Sequence, residues 1–136
     1  MISFIVYGQI VSQQRANFTT KSGKSFGYTP TKTRNWKEVI RSEAIKVKPE
    51  RPLECPIFMD LKFFFLIPKT KVKKDKSKQA YWTIGNKDID NLAKSVMDSC
   101  QKILYRNDNQ IVYCEIAKRY TEEQERIEII FEELPL

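Results

Sequence analysis

Four of the chain's six aspartates, Asp88, Asp90, Asp98 and Asp108, fall within 21 residues, and any fold must accommodate them. Close carboxylates repel and raise one another's pKa, so a fold must hold them apart or supply positive charge between them. The densest stretch is Lys87-Asp88-Ile89-Asp90-Asn91-Leu92-Ala93-Lys94, with two aspartates one residue apart and a lysine four beyond the second. Hard oxygen donors beside a lysine, in a basic protein, point to Mg²⁺ held against a phosphate.

The net charge of +7 is unevenly placed. Residues 1–48 carry nine Lys/Arg against two Glu, while residues 49–136 balance fifteen basic residues with fifteen acidic ones. Arg15, Lys21, Lys24, Lys32, Arg34 and Lys37 all precede the first acidic residue, Glu38. A polyanion is the partner such a stretch suits, a solubilising surface being the bland alternative. Histidine is absent, which excludes Ser/His and Cys/His nucleophile systems and the usual zinc sites. Cys55, Cys100 and Cys114 have no CxxC spacing and cannot all pair, so they are expected as reduced thiols in a cytoplasmic protein. The apolar run Ile2–Tyr7 is too short to span a bilayer and lacks the basic flank of a signal peptide, so no membrane attachment is expected.

With 136 residues and no internal repeat, the chain is expected to form one domain, residues 1–136. Residues 2–8 read as a strand, and 9–30, rich in Gly, Ser, Gln and Thr, as a long loop or an irregular hairpin. Trp36, Val39, Ile40, Ala44 and Val47 follow helical spacing, so a helix is expected from about Thr33 to Val47. From Ile57 to Ile67 the chain alternates: Met59, Leu61, Phe63 and Phe65 on one face, Phe58, Asp60, Lys62 and Phe64 on the other. That places Phe63 and Phe65 in the core and Phe64 at the surface or an interface. Residues 69–78 hold six lysines and one aspartate, a basic loop suited to clamping phosphates through Lys71, Lys73, Lys74 and Lys76.

A second helix is expected over Asp88 to about Lys102, capped by Asp88 or Asp90, with Ile89, Leu92, Ala93, Val96, Cys100 and Ile103 on its apolar face. Asp90, Lys94 and Asp98, spaced four apart, share a different face. Residues 105–110 read as a turn, and Ile111–Tyr120 with Arg126–Phe131 as an antiparallel hairpin, Val112, Cys114 and Ile116 forming one apolar face of its first strand. The sum is an α+β domain with a mixed or antiparallel sheet of about four strands packed with two main helices.

Read one at a time, these residues have ordinary uses. Asp88 and Asp90 are caps, Lys94 is the i,i+4 partner of Asp90, Asp98 is a solvated helix residue and Asp108 is turn chemistry. Read together with the basic N-terminal third, they describe a metal-assisted phosphodiesterase, provided Asp108 returns along a helix about 22 Å long to meet Asp90, or a second subunit brings the groups together.

The segment Asp88-Ile89-Asp90-Asn91-Leu92-Ala93-Lys94 resembles the D-x-D-N-L-x-K core of the RusA-type Holliday junction resolvases of bacteria and their phages. The resemblance continues through Asp98 and the acidic turn Tyr105-Arg106-Asn107-Asp108-Asn109-Gln110-Ile111-Val112 to Lys118-Arg119-Tyr120. Gln14-Arg15 and Tyr28-Thr29-Pro30 match more loosely the family's basic loop and the lead-in to its first helix. Two positions depart: Ala16-Asn17 stands where relatives often carry a second basic residue, and Asn107 where some carry a second acid. The resemblance implies a Mg²⁺-dependent endodeoxyribonuclease (Mn²⁺ able to substitute) that acts as a homodimer on four-way DNA junctions in recombination and repair. No small-molecule cofactor is implied. It assigns Asp88, Asp90 and Asp108 as catalytic, metal-binding carboxylates and Lys94 as the essential lysine. Arg15, Lys21, Lys24, Lys32, Lys71, Lys73, Lys74, Lys76 and Lys87 are expected to hold DNA. The rivals are a basic DNA-binding protein without catalysis and a nuclease of the same fold acting on other branched DNA.

Overall fold

The computed structural model describes residues 1–13, 17–21, 24–28, 31–68, 82–85 and 87–135, with the backbone alone for 17–21 and 24–28. Strands β1 (Ile2–Tyr7), β4 (Ile57–Leu66), β5 (Ile111–Thr121) and β6 (Arg126–Glu133) form one sheet in the order β1-β6-β4-β5. Strands β2 (Asn17–Lys21) and β3 (Lys24–Tyr28) form a separate antiparallel hairpin, so the second of the two alternatives left open for residues 9–30 is the one observed. Helices α1 (Thr31–Lys46) and α2 (Ile89–Cys100) match the two expected from periodicity. The four-stranded mixed sheet with two helices is the expected α+β class.

The expected β5–β6 hairpin is not formed. β6 pairs antiparallel with β4 (Leu61 opposite Ile129) and with β1 (Phe4 opposite Ile129), while β5 lies on the far side of β4, parallel to it (Leu61 opposite Ile116). β4, with Ile57, Met59, Leu61, Phe63 and Phe65 all buried, takes a central place in the sheet and separates the two strands that follow it. The 121–125 link therefore steps across the end of β4. Ile67 N donates to Thr121 O (2.9 Å), and Glu125 accepts from Ile10 N (2.8 Å) and Leu66 N (3.3 Å). A parallel pair needs a crossover connection; here that connection contains α2.

One face of the sheet carries the core. Val6, Met59, Leu61, Phe63, Ile127, Ile129 and Phe131 are buried there with Trp36, Ile40 and Ala44 of α1 and Leu92, Ala93 and Val96 of α2. The other face is charged, with ion pairs Lys62–Asp60 (3.6 Å) and Arg126–Glu128 (3.1 Å). Phe64 on that face is buried rather than exposed, because the Arg126 guanidinium lies 4.1 Å over its ring. Val112 and Cys114, expected on an apolar face, are exposed, since the first half of β5 runs along the sheet edge. Gly8 leaves β1 with φ +139°, and a Cβ there would stand 3.2 Å from the Trp36 ring, so the turn onto α1 requires glycine. Among the described residues no helix is long and apolar enough to cross a membrane.

Candidate active site

Helix α2 is the scaffold. Its buried face (Leu92, Ala93, Val96, Cys100) fixes the rotation of the helix, which turns Asp90, Lys94 and Asp98 outward along a neighbouring face. Asp88 occupies the N-cap with φ −72° and ψ 137°, yet its side chain makes no capping hydrogen bond. Asp88 and Asp90 are both exposed, and neither carboxylate forms a hydrogen bond or ion pair with a described residue. Aspartate at an N-cap ordinarily accepts from the N2 or N3 amide. Here that use is left untaken beside the positive end of the helix dipole, which tolerates the paired charges.

The segment leading into Asp88 is held from three sides. Lys118 of β5 donates to Lys87 O (2.8 Å) and Gly85 O (3.3 Å), and the Arg119 guanidinium sits 4.7 Å from the Trp82 ring centre. The Lys87 ammonium donates to Ile10 O (2.6 Å). Burial lowers the Lys87 pKa, the charge of Glu125 partly offsetting it and that of Lys32 adding to it.

Asp108 does return along α2. After Cys100 the chain reverses through Lys102 in the left-handed region (φ 70°). Tyr105, fully buried, donates its hydroxyl to Met97 O (2.6 Å), pinning the return against the helix it has just left. Asp108–Gln110 is a 3₁₀ turn capped by Asn107, whose side chain accepts from Asn109 N (2.9 Å), while Asn107 N donates to Gln110 Oε1 (2.8 Å). Gln110 Nε2 in turn donates to Leu53 O (2.8 Å) and Cys55 O (3.1 Å). Asn107, where some relatives have an acid, thus builds the turn.

Asp108 Oδ2 arrives 3.6 Å from Lys94 Nζ, and Asp98 Oδ1 lies 3.1 Å from the same ammonium. Lys94 therefore pairs with Asp98 and Asp108 and not with Asp90, its neighbour one turn back. The hydrogen bond and charge of Asp98, joined by the charge of Asp108, raise the Lys94 pKa. Asp98 is not the solvated helix residue expected. Its Oδ2 accepts from Gln13 Nε2 (3.2 Å) and Lys37 Nζ (3.4 Å). Burial works against its charge, but hydrogen bonds from Lys94 and Gln13 and the charge of Lys37 outweigh it, and its pKa falls below the usual value. Gln13 and Lys37 were not read as site residues, and Asp98, Gln110 and Lys118 entered only as part of the resemblance. Their contacts cross 61 residues of sequence for Lys37–Asp98 and 85 for Gln13–Asp98, beyond the reach of any local pattern.

Carboxylate oxygens free of competing bonds are the donor type a hard divalent cation takes, and among the described residues nothing bonds those of Asp88 and Asp90. Among the described residues of one chain, however, no three acidic, His or Cys side chains already stand close enough to hold an ion, so Asp88, Asp90 and Asp108 are not pre-gathered. Of the expected DNA-binding residues, Arg15, Lys71, Lys73, Lys74 and Lys76 lie outside the described residues. Lys21 and Lys24 are register partners where β2 ends and β3 begins, and Lys32 is exposed in the first turn of α1.

Comparison with known proteins identifies the family. The chain is 32% identical over 98% of its length, and 96% of the relative's, to the Bacillus subtilis (strain 168) "Uncharacterized protein YqaN". It is 31% identical over 87% of its length, and 86% of the relative's, to the "Crossover junction endodeoxyribonuclease rusA" of Lactococcus phage r1t. The model of the family "Endodeoxyribonuclease RusA" matches residues 8–132, which takes in the β2–β3 hairpin, both helices, the Asp108 turn and strands β4, β5 and β6 of the sheet, but not β1. A match of that extent makes this protein a member of the RusA endodeoxyribonuclease family.

Proposed function

We propose that this protein is a divalent-metal-dependent endonuclease that resolves four-way DNA junctions as a homodimer, cutting opposed strands symmetrically. The observation that carries the reading is the pair of carboxylates, Asp88 and Asp90, that no described residue engages, at the start of the helix on which Lys94 meets Asp108. Asp88, Asp90 and Asp108 would hold the ion, Mg²⁺ or Mn²⁺. When bound, it supplies activation of the attacking water and neutralisation of phosphate charge. Lys94, its pKa raised by its carboxylate partners, stays protonated. It lies about 6 Å along the helix from Asp90 and offers a cation to the scissile phosphate, where it stabilises the charge that develops as the bond breaks. With no histidine in the chain, no imidazole serves as base.

The incomplete carboxylate set in one chain supports closure of the site on binding, by DNA, by the ion or by a partner subunit. A two-fold substrate cut twice calls for two related active sites, which a symmetric dimer provides. Lys21, Lys24 and Lys32, with Arg15 and the 69–78 lysines, give DNA its positive counterpart. The "crossover junction" in the phage relative's name supports a four-way junction as substrate. The test is a labelled mobile junction incubated with protein and Mg²⁺ or EDTA, beside flap and plain duplex DNA. Paired symmetric nicks in the junction with Mg²⁺ alone are expected. Equal cutting of flaps and duplex would refute junction specificity, and no cutting with Mg²⁺, or with Mn²⁺ in its place, would refute the nuclease.

A further inference from the structure

Asp98 stands apart from the carboxylates proposed for the ion. Its two oxygens are divided between two jobs. Oδ2 is held by Gln13 (3.2 Å) and Lys37 (3.4 Å), while Oδ1 faces Lys94 (3.1 Å). The first two donors belong to different parts of the fold. Lys37 projects from α1, and Gln13 ends the segment that leads toward the β2–β3 hairpin. Gln13 is fixed on α2 by its backbone as well, through its N–H on Asn91 O (3.3 Å). Its Oε1 is buried with no hydrogen-bond partner among the described residues, and its nitrogen gives to Asp98, which orients the amide.

An exposed lysine on a helix has four rotatable bonds and no reason to hold one position. Lys94 has half its side chain exposed. Its contact to Asp108 is the looser one at 3.6 Å, and Asp98 supplies the shorter 3.1 Å bond. A carboxylate anchored on its far oxygen by two other elements is a fixed post, and a fixed post lowers the number of places the ammonium can occupy.

We infer that Asp98 is a positioning residue. Braced by Gln13 and Lys37, it holds the Lys94 ammonium at the mouth of the site beside Asp108 and ties that placement to the segment entering the β2–β3 hairpin. The inference rests on the reading of Lys94 as the cation that meets the scissile phosphate. Misplacing a catalytic group by about 1 Å can cost on the order of a hundredfold in rate, so Asp98 acts on the cutting step and not on DNA affinity.

The test is single-turnover cleavage of a mobile four-way junction, with protein saturating and Mg²⁺ present, for wild type, Asp98→Asn, Lys37→Met, Lys94→Gln and the double variant Asp98→Asn/Lys94→Gln. It is run beside junction affinity, thermal melting and the Lys94 side-chain ammonium resonance by NMR. Asp98→Asn is expected to slow the cut roughly tenfold to a hundredfold with affinity unchanged, and to shift the Lys94 resonance. Lys37→Met is expected to slow it less. In the Lys94→Gln background Asp98→Asn should add little, since residues that act as a unit are not additive. Three results would overturn the inference: Asp98→Asn melting lower yet cutting bound junction at the wild-type rate, an equal cost in both backgrounds, or an unmoved Lys94 resonance. If wild type makes no cut at all, the nuclease reading falls, and the resonance alone decides whether Asp98 sets the lysine.

Discussion

Gln110 carries the turn that delivers Asp108, and Gln110→Ala removes three hydrogen bonds at once: to Leu53 O (2.8 Å), to Cys55 O (3.1 Å) and from Asn107 N (2.8 Å). A typical intramolecular hydrogen bond contributes about 0.5–1.5 kcal/mol. Leu53 O keeps a second donor, Arg106 N (3.2 Å), and the site is partly open to water, so the sum is discounted to about 2–3 kcal/mol. At about 2.1 cal/mol/K per residue, a chain of 136 residues has an unfolding entropy near 0.29 kcal/mol/K, and the melting temperature should fall by about 7–10 °C. Gln110→Glu should be at least as damaging, because it keeps the acceptor for Asn107 N but turns a carboxylate toward two carbonyls. Asn109→Ala, an exposed change one residue away, should stay within about 0.5 kcal/mol of wild type. Thermal unfolding followed by circular dichroism measures all three. Cleavage by Gln110→Ala below its melting temperature should also be slowed, because Asp108 loses its mooring. A Gln110→Ala melt within about 2 °C of wild type would refute the assignment of this side chain as the anchor of the turn.

The cysteines should differ in reactivity. Cys114 is exposed and Cys100 is buried, its thiol pushed up to about 12 by desolvation against a small opposing effect of Arg41, so an alkylating reagent should label Cys114 quickly and reach Cys100 only on unfolding. Asp98 gives a pH dependence with a definite sign. Its folded pKa lies below the usual 3.8, so its stabilisation is present above that value and is lost as pH falls through the lower one. In urea melts, the stability gap between wild type and Asp98→Asn should therefore be constant from about pH 5 to 7 and close as the pH drops below about 4. A gap that widens on acidification would reverse the sign.

Strands and helices whose burial is governed by their own periodicity were legible in the sequence. β4 alternates Met59, Leu61, Phe63 and Phe65 into the core as read, and α2 presents Leu92, Ala93, Val96 and Cys100 to it. Strand order was not legible, because a period of two looks the same whether β5 and β6 pair with each other or flank a third strand. Phe64 likewise reads as a surface residue until Arg126, 62 positions away, is known to cover it. At the site, the helical spacing of Asp90, Lys94 and Asp98 gave their shared face, but not the partner choice of Lys94. That choice depends on Tyr105 and Gln110 drawing Asp108 back along the helix, and on Gln13 and Lys37 converging on Asp98 from distant segments. Such contacts are products of packing and leave no local trace.

The most direct measurement is single-turnover cutting of a four-way junction, with Mg²⁺, by Asp88→Asn, Asp90→Asn and Asp108→Asn, each paired with a binding titration of the same DNA. Each variant should bind the junction as well as wild type or better, having lost a negative charge, while cutting falls to the background of the EDTA control. Wild-type cutting by any one of the three would remove that carboxylate from the ion, and wild-type cutting by all three would contradict the account.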